Sequence, residues 1–149
     1  GILVVWFTHK RLNAWKSIIS ALYGSNFFIT RIWPVTSELL TRLVAKNNKE
    51  VLDKTLIIVA RKKIKELEID METHAFNLIK GVVESLCEIG ATKSEFKTFL
   101  YATVISSVTV MPNDSSINDP INYCYSQLFP KAIKIADKLI LKIEKELIY

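Results

Sequence analysis

The sequence predicts an α/β fold in which a strand-rich amino-terminal part is followed by a helical carboxyl-terminal region. Residues 1–65 contain three apolar runs rich in β-branched and aromatic side chains, with one helical segment between the first two. From residue 66 onward, apolar residues recur at helical spacing instead. The chain has 149 residues, half of them apolar, which is enough for one packed core. We therefore distinguish a region 1–65 and a helical region 66–149.

The first strand and the first helix are predicted from residues 2–24. Residues 2–7 are all apolar, which is typical of a strand covered on both faces in a parallel sheet. Asn13 is a candidate N-cap for an amphipathic helix that ends at Gly24. We expect Trp15 on the apolar face of this helix, and Trp6 in the first strand, to be core residues.

Two further strands and a long connection complete the first region. Residues 27–33 and 55–60 predict strands, the former ending at Pro34. The 21 residues of the connection 34–54 far exceed the usual ~4–6, and connections of this length are commonly lids or binding loops. Leucine and valine residues at 39–44 predict a short helix inside it. The alternative is a purely structural excursion.

The second region is predicted to be helical. One apolar stripe starts at residue 71 and ends near Gly90, and a second helical segment covers residues 94–110. Pro130 is expected to open the last helix, which has an apolar stripe from Ile133 to Leu147. Such a stripe usually packs onto a core, although it could instead mediate self-association.

The net charge of +5 is unevenly divided along the chain. Residues 1–65 hold twelve Lys and Arg against three acidic residues, a net charge of +9, and residues 66–149 have a net charge of −4. A basic half can neutralise phosphates, which makes nucleic acid the leading partner class. A lysine-rich solvated surface, as in heat-adapted proteins, is the alternative.

Several kinds of chemistry are excluded by the motifs that the sequence lacks. It has no glycine-rich phosphate loop and no recognisable nucleophile, and its two histidines cannot form a multi-histidine metal site. His74 is expected to pair with Asp70 on a helix surface. Cys87 and Cys124 lack a CxxC spacing and read as reduced thiols, so no metal is predicted. With no spanning run of ~20 apolar residues and no signal peptide, we expect a cytoplasmic protein.

The first 63 residues resemble a known enzyme family. The strings ILVVWFTHK, AWKSIISALYGSNFFITRIWPVTSE and KTLIIVARKK look like the stretch that follows the catalytic motif in adenine-specific DNA methyltransferases, particularly the large archaeal and bacterial ones. The linked features are a strand ending in His-Lys, an Ala-Trp on the next helix, Trp-Pro-Val with a nearby Glu, and a last strand ending in Arg and Lys. Residues 85–110 resemble the following segment more faintly.

The resemblance implies the terminal strands of a Rossmann-like methyltransferase sheet, including the closing antiparallel pair. Such enzymes use S-adenosylmethionine and flip the target adenine out of the DNA. The resemblance places Trp33, Pro34 and Glu38 at the target-base pocket. An aromatic ring such as that of Trp33 can stack on a base. The remaining predicted substrate-binding residues are His9 and Lys10, at the carboxyl end of the first strand, and Arg42, Lys46 and Lys49, which could meet phosphates.

The sequence also departs from this family in ways that limit what the resemblance implies. The Asp/Asn-Pro-Pro-aromatic catalytic motif and the glycine-bearing cofactor loop are both missing; the nearest string, at residues 118–123, lacks the second proline. The sequence therefore predicts a portion or subunit of a methyltransferase, inactive alone and completed by a partner chain or upstream domain. The alternative is a non-catalytic nucleic-acid-binding or protein-interaction module derived from a methylase.

Overall fold

The computed structural model describes residues 1–9, 11–36, 54–112 and 118–148. The secondary structure follows the predicted order of a strand-rich region and a helical region. The strands are β1 (Ile2–Phe7), β2 (Phe27–Thr36) and β3 (Lys54–Lys62). The helices are α1 (Leu12–Gly24), α2 (Met71–Glu88), α3 (Lys93–Ser106), which continues as a 3-10 turn (Ser107–Val110), and α4 (Pro120–Ile148). The short helix predicted at 39–44 lies outside the described residues.

The three strands form one antiparallel sheet in the order β1-β3-β2. Since β3 is antiparallel to both neighbours, β1 and β2 run in the same direction. Leu56 of β3 fixes the register, because it pairs with Phe7 on one side and with Pro34 on the other. The predicted α/β class is thus confirmed as a small antiparallel sheet with several helices.

Within the described residues, only one face of the sheet is covered, which corrects the expectation that β1 is buried on both faces. The inward side chains of β3, such as Leu56 and Ile58, are fully buried. On the opposite face, Ile2 and Val4 are half exposed and Trp6 is 67% exposed. The prediction of Trp6 as a core residue was therefore wrong, because its position in the strand alternation places it on the uncovered face. Trp15 is completely buried, as predicted.

Two predicted boundaries shift for local reasons. β2 does not stop at Pro34 but continues to Thr36, which a proline permits because β2 is an edge strand and needs backbone donors on one side only. The N-cap of α1 is Arg11 rather than Asn13, and Arg11 makes no capping hydrogen bond through its side chain. Asn13 instead lies in the first turn of the helix.

The later helices begin at conventional caps. The Asp70 carboxylate accepts a hydrogen bond from the backbone N–H of Thr73 at the start of α2, and Thr92 and Glu95 form a reciprocal capping box on α3. α4 begins at Pro120, so the prediction that Pro130 opens it was wrong. The helix continues through Pro130 despite the missing backbone donor, and the nearby residues Phe129 and Ala132 pack into the core.

One hydrophobic core joins the two regions of the sequence. It contains Ile19 of α1, Ile58 of β3, Val82 of α2, Phe99 of α3 and Leu128 of α4. Trp15 lies at its centre, with edge-to-face contacts to Phe7 and Phe99 at ring-centroid distances of 4.6 and 6.0 Å. Both cysteines are unbridged. Within the described parts, the helices are too short or too polar to cross a membrane.

Candidate functional site

One end of the sheet brings together residues that are distant in sequence. β1 ends at Phe7 and leads into Thr8 and His9, and the parallel β2 reaches the same level at Pro34. The Thr8 hydroxyl donates a 2.6 Å hydrogen bond to the carbonyl of Lys54, which ties the end of β1 to the start of β3. The predicted residues His9, Trp33 and Pro34 therefore share one end of the sheet.

His9 organises the turn between β1 and α1. Its Nδ1 accepts a hydrogen bond of 2.9 Å from the backbone N–H of Arg11, so a neutral His9 ring carries its proton on Nε2. Its carbonyl accepts a 2.7 Å hydrogen bond from the indole Nε1–H of the buried Trp15. The position of His9 at the sheet end is thus fixed by the core.

Trp33 and Pro34 have opposite surroundings. Pro34 is buried on the covered face of the sheet. Trp33 lies on the other face, 51% exposed, with the guanidinium of Arg31 at 5.3 Å from its ring centroid. A planar cation stacked near an exposed indole is a combination that can receive a nucleobase and its phosphate.

A cavity of about 500 Å³ opens beside Trp33, between β2 and α2. Its size is within the range of small-molecule sites. On the strand side it is lined by residues 30–33, and on the helix side by polar and small residues: His74, Asn77, Gly81, Glu84 and Ser85, with Leu78 beneath them. The helix residues recur at spacings of three and four, which is the sequence signal that could have identified this face.

His74 is the buried anchor of this cavity, and its predicted surface pairing with Asp70 was wrong. The Nε2–H of His74 donates a 2.6 Å hydrogen bond to the carbonyl of Ile29, while Asp70 caps the helix through Thr73. Burial lowers the pKa of His74, and the hydrogen bond to Ile29 opposes that shift only in part. The ring is thus neutral around pH 7 and joins α2 to the edge of the sheet.

The remaining predicted site residues, namely Lys10, Glu38, Arg42, Lys46 and Lys49, lie outside the described residues. Their predicted contacts with the base and with phosphates stay predictions.

The positions of the four glycines bear on where a cofactor such as S-adenosylmethionine could be held. Gly24 and Gly81 lie within helices, Gly90 follows the end of α2 with a φ of 67°, and Gly1 precedes β1. None of these glycines lies in a turn from a strand into a helix, where a backbone could approach a cofactor closely. Among the described residues, no cluster of His, Cys, Asp and Glu is arranged to hold a metal ion.

Comparison of the chain with protein-family models, with curated protein sequences and with solved structures found no match.

Proposed function

We propose that this chain is a portion or subunit of an S-adenosylmethionine-dependent adenine-specific DNA methyltransferase. It supplies target-base and DNA contacts, and a partner chain or upstream domain supplies the catalytic motif and the cofactor site. The observation that carries the proposal is the convergence of His9, Trp33 and Pro34 at one end of the sheet. His9 belongs to one string of the family resemblance, and Trp33 and Pro34 belong to another. Leu56 of β3 brings the two strings to the same level, because it pairs with Phe7 on one side and with Pro34 on the other.

The cavity beside Trp33 suits a flipped adenine. The exposed indole provides a stacking surface, and an asparagine such as Asn77 can pair with both the donor and the acceptor edge of adenine. Arg31, held near the indole, is placed to meet a phosphate of the extruded nucleotide. His74 keeps α2, and therefore Asn77, fixed against β2.

The uncovered sheet face is the proposed docking surface for the completing part of the enzyme. Within the described residues, β1 pairs with β3 alone, so its other edge has unpaired backbone groups. The exposed side chains of Ile2, Val4 and Trp6 lie beside that edge. A partner strand added along β1 would pair these backbone groups, and apolar residues of the partner would cover the exposed side chains.

The experiment is a methyl-transfer assay on the native assembly. The protein is purified from its source cells with whatever stays bound, and the intact masses of the polypeptides are measured. Labelled methyl transfer from S-adenosylmethionine to adenine in duplex DNA is then compared between this assembly and the isolated chain. We expect activity in the assembly, no activity and no cofactor binding in the isolated chain, and a polypeptide carrying the missing motifs.

Variants of the assembly test the role of Trp33. Because base stacking contributes about 1–3 kcal/mol, Trp33→Ala should lower adenine methylation roughly tenfold or more, and Trp33→Phe should retain most of it. Tyr123→Ala is the control, since Tyr123 is an exposed aromatic on α4 far along the chain from this site. Tight S-adenosylmethionine binding by the isolated chain would overturn the proposal. A native species of 17.0 kDa that binds DNA without any partner would favour the binding module instead.

A further inference from the structure

A second apolar surface lies between α3 and α4. We call it the α3–α4 groove; it has a volume of about 530 Å³. Its floor is formed by the apolar side chains of Phe96, Leu100, Phe129, Ile133 and Ile140. Leu100 and Phe129 are buried, whereas Ile133 is 40% exposed. The groove is thus an apolar surface open to solvent.

The two helices run antiparallel along this groove. Cys124, near the start of α4, donates a hydrogen bond to the carbonyl of Val104, near the end of α3. Tyr101, earlier on α3, lies 6.4 Å from Phe129, later on α4, measured between ring centroids. The end of α3 therefore lies beside the start of α4, and the start of α3 lies beside later turns of α4. The groove is bounded along its length by one side of each helix.

The two rims of the groove have opposite charge. Lys93 and Lys97 lie on the α3 rim, one helical turn apart, and Asp137 and Glu144 lie on the α4 rim, two turns apart. All four residues are exposed. A partner that fits here needs an apolar stripe with an acidic side facing α3 and a basic side facing α4.

We propose that this partner is a second copy of the chain, bound through the same α3–α4 groove. A two-fold axis parallel to the helices places α3 of each copy opposite α4 of the other. Lys93 and Lys97 then face Asp137 and Glu144 of the second copy, and the reciprocal contacts are identical. Such an interface is isologous, as in most homodimers. The charge pattern is therefore complementary to itself, and the proposal does not depend on the methyltransferase function.

Apolar burial and charge have separate roles in this dimer. Covering Phe96, Ile133 and Ile140 from both copies removes exposed apolar surface from water, which drives association. The rim charges fix the orientation, because an arrangement with α3 against α3 would bring Lys93 and Lys97 of the two copies together. The dimer should consequently weaken as salt screens the rims.

The test is sedimentation equilibrium of the full chain and of two charge-reversed variants. K93E/K97E makes both rims acidic, and D137K/E144K makes both rims basic. Each variant alone should dimerise at least about tenfold more weakly than the unchanged chain, because like charges now face each other. An equimolar mixture of the two variants should recover a heterodimer, since each variant restores the opposite charge for its partner.

A sheet-face variant, V4K/W6K, identifies the surface that is used. If the α3–α4 groove forms the dimer, V4K/W6K keeps the affinity of the unchanged chain. A chain that stays monomeric at all concentrations would overturn the proposal. A dimer that is lost in V4K/W6K but unaffected by the rim reversals would also overturn it, and would assign self-association to the sheet face. Weak association of each variant without recovery in the mixture would likewise contradict the two-fold arrangement.

Discussion

The ammonium group of Lys54 lies 3.5 Å from Oε1 of Glu95, and both side chains are more than nine-tenths buried. Lys54 is the first residue of β3, and Glu95 lies in the first turn of α3. The ion pair therefore joins the sheet end that holds His9 and Pro34 to the helical region. Within the described residues, Oε2 of Glu95 has no hydrogen-bond partner. The contacts of this carboxylate are therefore made through Oε1, which lies near Lys54 and accepts the capping hydrogen bond from the Thr92 N–H.

Removing the charge of Glu95 should destabilise the protein strongly. Glu95→Gln keeps the shape and can keep the bond to the Thr92 N–H, but it takes the carboxylate away from the buried Lys54. Because the variant removes one partner of a buried ion pair, we expect the free energy of unfolding to fall by about 3 kcal/mol. Urea denaturation measures this change. Thr92→Ala, which removes only a capping bond, is the control and should cost about 1 kcal/mol. Equal losses in the two variants would show that the ion pair adds nothing beyond the cap.

Stability should decrease in mild acid because of His74. Burial lowers the pKa of His74, so the folded protein holds this ring neutral at a pH where the unfolded chain already protonates it. The contribution is fully present above the unfolded pKa of about 6.5, and it is lost as the pH falls below that value. We expect a lower urea midpoint at pH 5.5 than at pH 7.5. In His74→Gln the difference should shrink, whereas His9→Gln, which retains His74, should keep it. An unchanged difference in His74→Gln would assign the acid sensitivity to other groups.

Cys124 should resist thiol reagents in the folded protein. Its Sγ donates to the carbonyl of Val104 and lies 3.2 Å from the Ser107 hydroxyl, and burial raises the pKa of this thiol to about 11. At pH 8 only about one molecule in a thousand then carries the reactive thiolate. Alkylation followed by mass spectrometry should modify Cys124 only after denaturant is added. Cys87 is less buried and should be modified first. Rapid labelling of Cys124 in buffer would contradict this environment.

Trp15 of α1 and Trp6 of β1 should differ in how much each contributes to stability. Trp15 is fully buried, contacts Phe7 and Phe99 and donates its indole N–H to His9, so Trp15→Ala should lower the free energy of unfolding by about 3–5 kcal/mol. Trp6 is largely exposed, and Trp6→Ala should change the stability of the isolated chain by less than about 1 kcal/mol. The pair is compared by urea denaturation. A large loss for Trp6→Ala would mean that its face is covered in solution.

Local sequence signals predicted most of the elements but not all of their ends. The helix from Met71 and the strand that ends in Arg61 and Lys62 follow from periodicity and β-branched composition. Pro34 and Pro130 predict boundaries, because proline lacks a backbone donor. Both lie inside elements: Pro34 is in an edge strand, and Pro130 is in a helix that packs into the core through Phe129 and Ala132. Whether a proline interrupts an element is decided by its neighbours in space.

The candidate site was predictable only in part. Trp33 was identified from the Trp-Pro-Val string, whereas His74 and Asn77 were missed because no short-range pattern links α2 to β2. Their contact requires His74 to reach the carbonyl of Ile29, 45 residues earlier in the chain. A hydrogen bond over that separation depends on how α2 packs against the sheet. The spacing of residues along the sequence does not determine that packing.

The sequence by itself determined the α/β class, the division between a strand-rich and a helical region, and the core position of Trp15. These properties depend on periodicity and composition, which act over a few residues. Only the tertiary structure decided that β3 lies between β1 and β2, that Trp6 is exposed, and that Trp33 borders a cavity on α2. Those outcomes depend on strand order and on which face the helices cover, and both are set by contacts between residues far apart in the chain.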